Sequence, residues 1–112
     1  MSYPTELTDI ERRLRDIRAA RAVTIDRPDG TGIDTMRRVA EAHRTMVKNL
    51  TDRGWLTWRH LLAARMHAAF AESDPDALRA ALLDAAAVTL DWIEAIDKRP
   101  NATESDTPEA SR

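Results

Sequence analysis

Apolar residues in this chain return every three or four positions through four stretches, a spacing that fits a helix and defeats a strand. In the first stretch, residues 7–20, Ile10, Leu14 and Ile17 stand at i, i+4 and i+7. The second is expected to open with Asp34 or Thr35 as N-cap and to end against Gly54, a natural residue just past a helix C-terminus. Its apolar face steps through Met36, Val39, Ala40, His43, Met46, Val47 and Leu50. The third opens at Thr57, whose hydroxyl can accept a hydrogen bond from an early backbone N–H, and continues to residue 72. Trp58, Leu61, Leu62, Met66, Ala69 and Phe70 make its apolar side.

Asp74-Pro75 then offers an N-cap followed by proline at the first helical position, where a missing N–H costs nothing. The helix it opens is expected over residues 75–98. Leu78, Leu82, Ala85, Ala86, Thr89, Trp92, Ile93 and Ile96 form one wide face, which Leu83, Ala87 and Leu90 extend towards a second side. A helix apolar over so much of its circumference is either central in its bundle or covered by another subunit. Ala80, Ala81, Ala85, Ala86 and Ala87 would let a neighbouring backbone approach closely. The pattern predicts an all-α bundle of four helices occupying residues 1–98.

From residue 99 the composition turns to Pro, Asn, Thr, Ser, Asp and Glu, which cannot bury enough apolar surface to order itself, so 99–112 is expected to be a disordered acidic tail. Cysteine is absent, which removes disulfides and thiolate metal sites. No apolar run is long enough to cross a bilayer and no signal-peptide pattern opens the chain, so the expectation is a cytoplasmic protein without membrane contacts. The net charge of −2 is unevenly spread: residues 1–60 hold 12 Lys/Arg against 9 Asp/Glu, and residues 61–112 hold 5 against 10. Arg12, Arg13, Arg15, Arg18 and Arg21 could attract phosphate or nucleic acid. Glu11 and Asp16 interleave with them at helical spacing, which favours a solvated face instead.

Few of the remaining residues suggest chemistry. Arg27-Pro28-Asp29-Gly30-Thr31-Gly32 reads as a turn; its glycine spacing matches neither phosphate-binding fingerprint and no strand precedes it. His60 and His67 share a face but lie two turns apart, about 10.5 Å, too far for one metal. Asp84 and Asp91 have the same spacing and the same difficulty. His43 reads as a packed residue on or beside a core face. Trp55, Trp58 and Trp92 read as core rather than as base-stacking platforms. No Ser-His-Asp or Cys-His arrangement can be assembled.

Leu56-Thr57-Trp58-Arg59-His60, the stretch 69–75, and Trp92-Ile93-Glu94-Ala95-Ile96-Asp97 resemble the short MazG-like all-α nucleoside triphosphate pyrophosphohydrolases of actinobacteria and their phages. The resemblance covers residues 10–98. In that family one helix carries Glu-Glu-x-x-Glu and the next Glu-x-x-Asp or Glu-x-x-Gln, and these carboxylates hold the Mg²⁺ that grips a triphosphate. Hard oxygen ligands along one helix edge suit Mg²⁺, which neutralises the phosphates and activates water. In this chain the first motif reads Ala64-Arg65-Met66-His67-Ala68 and the second Ala81-Leu82-Leu83-Asp84. Upstream of the Pro-Asp-Gly-Thr-Gly turn the family has Trp-Gly-x-Gln, where this chain has Ala22-Val23-Thr24-Ile25.

Ala64, Arg65, Ala68, Ala81 and Asp84 thus occupy the places of the metal ligands, and Asp84 alone keeps a carboxylate. Arg65 would repel a divalent cation. Two arrangements of the pair are open: Asp84 bridged to Arg65 across the helices, the guanidinium replacing the cation, or Asp84 facing water. The resemblance implies a MazG-like bundle, dimeric through its third and fourth helices, with no cofactor. Its implied role is that of a non-catalytic interaction or regulatory protein that has a protein partner or only its own copy. The alternative is a working Mg²⁺-dependent pyrophosphohydrolase using Asp84 with ligands from the second helix, such as Glu41, or from the fourth. Glu72 and Glu94 match family residues but lie off the motif edge, in capping or salt-bridge positions.

Overall fold

The computed structural model describes residues 3–21 and 25–100, with the first helix's side chains described from Thr8 onward. All the regular structure among these residues is helical: α1 (Tyr3–Arg21), α2 (Asp34–Arg53), α3 (Trp58–Phe70) and α4 (Pro75–Lys98). Residues 101–112 of the acidic tail expected over 99–112, and the segment 22–24, lie outside the described residues. No described helix is long and apolar enough to cross a membrane.

Local chemistry sets most of the boundaries. Gly54 ends α2 in the left-handed region at φ 74°. Its N–H donates to the Thr51 carbonyl at 3.1 Å, and the Trp55 N–H donates to that of Leu50 at 2.9 Å. This is the paired bonding of a Schellman motif, which occupies carbonyls that the helix end would otherwise leave unpaired. Thr57 caps α3, its Oγ1 accepting from the His60 N–H at 3.2 Å. Asp74 caps α4, its Oδ2 accepting from the Ala77 N–H at 2.9 Å, with Pro75 in the first turn.

Three boundaries differ from the sequence expectation. Helix α1 begins at Tyr3 rather than residue 7, since Pro4 in a first turn leaves no needed donor unmade. Neither Asp34 nor Thr35 caps α2: Ile33 holds the extended N-cap conformation and makes no side-chain cap bond. Asp34 lies instead in the first turn, paired with Arg37, whose Nη1 also donates to the Gly32 carbonyl at 2.7 Å. A carboxylate there complements the positive end of the helix without capping it. Helix α3 closes at Phe70, two residues early, as the Glu72 N–H turns back to the Ala69 carbonyl at 3.0 Å.

The central helix is α3, which packs on α2 along one side and on α4 along another. The short link from Phe70 to Pro75 makes α3 and α4 antiparallel neighbours. The buried residues among those described are small or medium: Ile10, Ala40, Ala64, Ala69, Leu78, Ala85 and Val88. Trp58 of α3 stacks on Trp92 of α4, ring centroids 6.4 Å apart and planes 10° from parallel. Trp55 departs from the core expectation: it is 63 % exposed, and the Arg53 guanidinium covers its ring at 5.5 Å. It follows the α2 terminator, so the chain has left the helix that would have carried it inward. Helix α4 is peripheral, and leaves Leu82, Leu83 and Ile96 exposed by 46 %, 55 % and 49 %. Among the described side chains of α1, Ile10 alone is buried; Leu14 and Ile17 remain part-exposed in a groove beside Ile93 and Asp97 of α4.

Candidate functional site

The loop ahead of α2 is tied to the end of α3 and so builds one end of the site. The Gly32 N–H donates to the Phe70 carbonyl at 2.8 Å, and Thr31 Oγ1 donates to that of Glu72 at 2.6 Å. Two carbonyls left over at a helix end thereby gain partners from a segment some forty positions earlier in the chain. Gly32 holds φ +86° against Ser73.

Beside this junction lies a cleft of about 350 Å³ between α2 and the α3–α4 turn, open to solvent. Arg37, Glu41 and Arg44 stand on one wall, Glu72 and Ser73 on the other, and Ala40, Ala68 and Ala71 line the rest. Three alanines make the room; any longer side chain would fill it. Its charges are two guanidiniums and two carboxylates, with Arg37 paired to Asp34 and Arg44 paired to Glu41 within α2. Each pair is exposed and contributes little to stability.

Of the five motif positions, only Ala68 lines this cleft. Ala64 is buried at 8 % exposure, Ala68 and Ala81 are half-buried, and Arg65 and Asp84 are exposed. A glutamate at position 64 would place a carboxylate in apolar surroundings, which without a counter-ion raises its pKa. Arg65 and Asp84 form no ion pair with each other. The pairs among the described residues are Arg12–Asp9, Arg37–Asp34 and Arg44–Glu41, each within one helix. Of the two arrangements the sequence left open, Asp84 in solvent is the one the structure has. Among the described residues no three His, Asp or Glu side chains converge as metal ligands. Residues 22–24, in the stretch where the family has Trp-Gly-x-Gln, are outside the described residues, and Ile25 is 77 % exposed.

Sequence reasoning missed two groupings. The first is Glu41 with Glu72 across the cleft, which belong to different helices and share no spacing. The second is His43 with His67. Their rings stack across the α2–α3 interface, centroids 4.2 Å apart and planes 17° from parallel, and Phe70 meets His67 edge-on at 5.7 Å. His67 is held below the ordinary imidazole value of 6.5, first by burial and then by the charge of His43. Two positive rings about 4 Å apart would repel by up to about 4 kcal/mol at an effective dielectric near 20. A signal for the pair was present: His43 lies among the apolar positions of α2, and His67 has Ala63, Ala64, Phe70 and Ala71 one turn away. His60 is separate, its Nδ1 2.7 Å from Thr57 Oγ1. On α1, Arg13, Arg15, Arg18 and Arg21 are exposed and Arg12 pairs with Asp9.

Comparisons with protein-family models, with curated proteins and with solved structures return no match.

Proposed function

We propose that the chain is a non-catalytic relative of the MazG-like pyrophosphohydrolases, a helical-bundle protein that acts by binding a protein partner or its own copy. One observation carries this reading: Ala64, Arg65, Ala68 and Ala81 stand where the resemblance places the Mg²⁺-binding glutamates. The burial of Ala64 and the exposure of Asp84 support it, because neither position offers a convergent oxygen ligand. The exposed leucines of α4 support a homodimer formed on that face. The cytoplasm is the proposed compartment.

Glu41 and Glu72 favour a second reading. They share the cleft beside Ala68, and two carboxylates facing one cavity are the start of a site for a hard cation. In that reading the protein hydrolyses a nucleoside triphosphate to monophosphate and pyrophosphate with Mg²⁺. A triphosphate panel with Mg²⁺ or Mn²⁺, followed by pyrophosphate release and calorimetric titration, separates the two. No release and no binding heat is the expected result. Metal-dependent release that disappears in Asp84→Ala, or in Glu41→Gln and Glu72→Gln, would establish the enzyme instead.

A further inference from the structure

We propose that His43 and His67 form a pH-sensitive latch between α2 and α3, closed while at least one ring is neutral and loosened when both are protonated. The stack is a contact between helices, not within one, so repulsion between the rings acts directly on their packing. Charge on both of two imidazoles 4.2 Å apart would disfavour their contact. Histidine is the side chain whose charge changes in the mildly acidic range, which places the transition near physiological pH.

The surrounding charges do not relieve the repulsion. On α2, Glu41 is paired with Arg44 and Asp34 with Arg37, so neither carboxylate is a free counter-ion, and Lys48 is exposed. On α3, Arg65 is a cation in solvent, and the residues one turn from His67 are Ala63, Ala64, Phe70 and Ala71. From the α3–α4 turn, Glu72 faces the adjoining cleft with both α2 arginines. On the first half of α4, Asp76, Arg79 and Asp84 are exposed. The causes that act on His67 are burial and His43; neither is a carboxylate.

The sign of the pH dependence follows. Folding disfavours the proton on His67, so below the ordinary value of 6.5 the unlatched chain binds more protons than the latched one. The latch is at full strength above pH 6.5 and weakens as pH falls towards the lowered value in the folded state. Helix α2 is the element released, since among the described residues its one substantial helix contact is with α3. Helices α3 and α4 stay joined through Trp58, Trp92 and the buried Ala85 and Val88.

The test is imidazole NMR titration of the full chain from about pH 8 to about pH 5, paired with amide exchange corrected for intrinsic rate. The expected result is a His67 midpoint below 6.5, with amides of residues 39–50 progressively losing protection towards the acid end. Amides around Trp92 and the near-UV signal of the tryptophan pair should hold. His43→Phe and His67→Phe keep a ring in the stack without its charge: His67→Phe should abolish the acid response, and His43→Phe should weaken it, leaving the part that burial of His67 causes; if His67→Phe does not fold, the weakening in His43→Phe decides alone. His60→Gln should leave the response unchanged. Three results would overturn the latch: a His67 midpoint at 6.5 or above, an acid response undiminished in His43→Phe, or equal loss of protection in α2 and α4.

Discussion

Gly32 has no room for a methyl group. A Cβ built there would lie 2.6 Å from Ser73 Cβ and 2.9 Å from Ser73 Cα, inside any real contact distance, and the backbone holds φ +86°. Gly30, two residues earlier, also has positive φ, at 70°, but nothing lies within 4 Å of the added atom. The pair separates two effects that usually come together. Gly30→Ala should cost only the strain of a left-handed residue, roughly 1–2 kcal/mol. Gly32→Ala adds overpacking against backbone that cannot yield, and should cost roughly 3 kcal/mol or more. Urea denaturation of the two variants measures the difference, and equal losses would mean that the loop is not seated on Ser73. In the candidate site the residue scale also explains why identity alone is incomplete. Ala64 and Arg65 are consecutive substitutions at expected ligand positions, yet one is buried and the other is in solvent.

At the scale of elements, each helix end draws on a different source of hydrogen bonds. Helix α4 is capped by the residue before its proline, and α3 by a threonine next to its first residue. These are local devices, each contributing about 1 kcal/mol, so Asp74→Ala should lower stability by about that amount. The end of α3 depends on a remote segment, where Thr31 donates to Glu72 and Gly32 to Phe70. Thr31→Val keeps the shape and removes the donor, and should cost about 1 kcal/mol. The two losses differ in where they are felt. Amide exchange should show fraying confined to the start of α4 in Asp74→Ala, and loosening at both the 25–33 loop and the end of α3 in Thr31→Val. Fraying at the start of α4 alone in both variants would show that the loop contributes nothing to α3.

For the whole molecule the deciding fact is how little large apolar surface is buried. Among the described residues, the buried ones apart from Ile10, Leu78 and Val88 are alanines, while Leu82, Leu83 and Ile96 of α4 lie 46–55 % exposed. Since the apolar area removed from water is the main favourable term in folding, a second copy on α4 would supply what the single chain lacks. Light scattering is expected to give twice the 12.6 kDa chain mass, and Leu83→Glu, which puts a charge in that surface, should return the monomer. A well-folded monomer of the unmodified chain at micromolar concentration would remove the homodimer from the reading. The acid response of the histidine pair should persist in Leu83→Glu if that variant folds, because α2 and α3 form the latch within one chain.

The local signals are legible in the residues themselves: Gly54 past α2, Thr57 ahead of α3, and Asp74-Pro75 ahead of α4 each act through hydrogen bonds within a few positions. Such bonds depend on side-chain chemistry at short range, so a sequence states them directly. Periodicity likewise marks which positions of each helix turn inward. It does not say towards what. The wide apolar face of α4 left two readings, the centre of the bundle or a face covered by another subunit, and the centre is α3, because a face is a property of one helix and a contact is a property of two. The same limit hid the candidate site's geometry. Glu41 and Glu72, or His43 and His67, meet only because α2 lies along α3 in one register, and the Gly-rich turn finds the end of α3 only when that register is set. Tertiary packing therefore decided which charges and rings are neighbours, and with it the chemistry open to this chain.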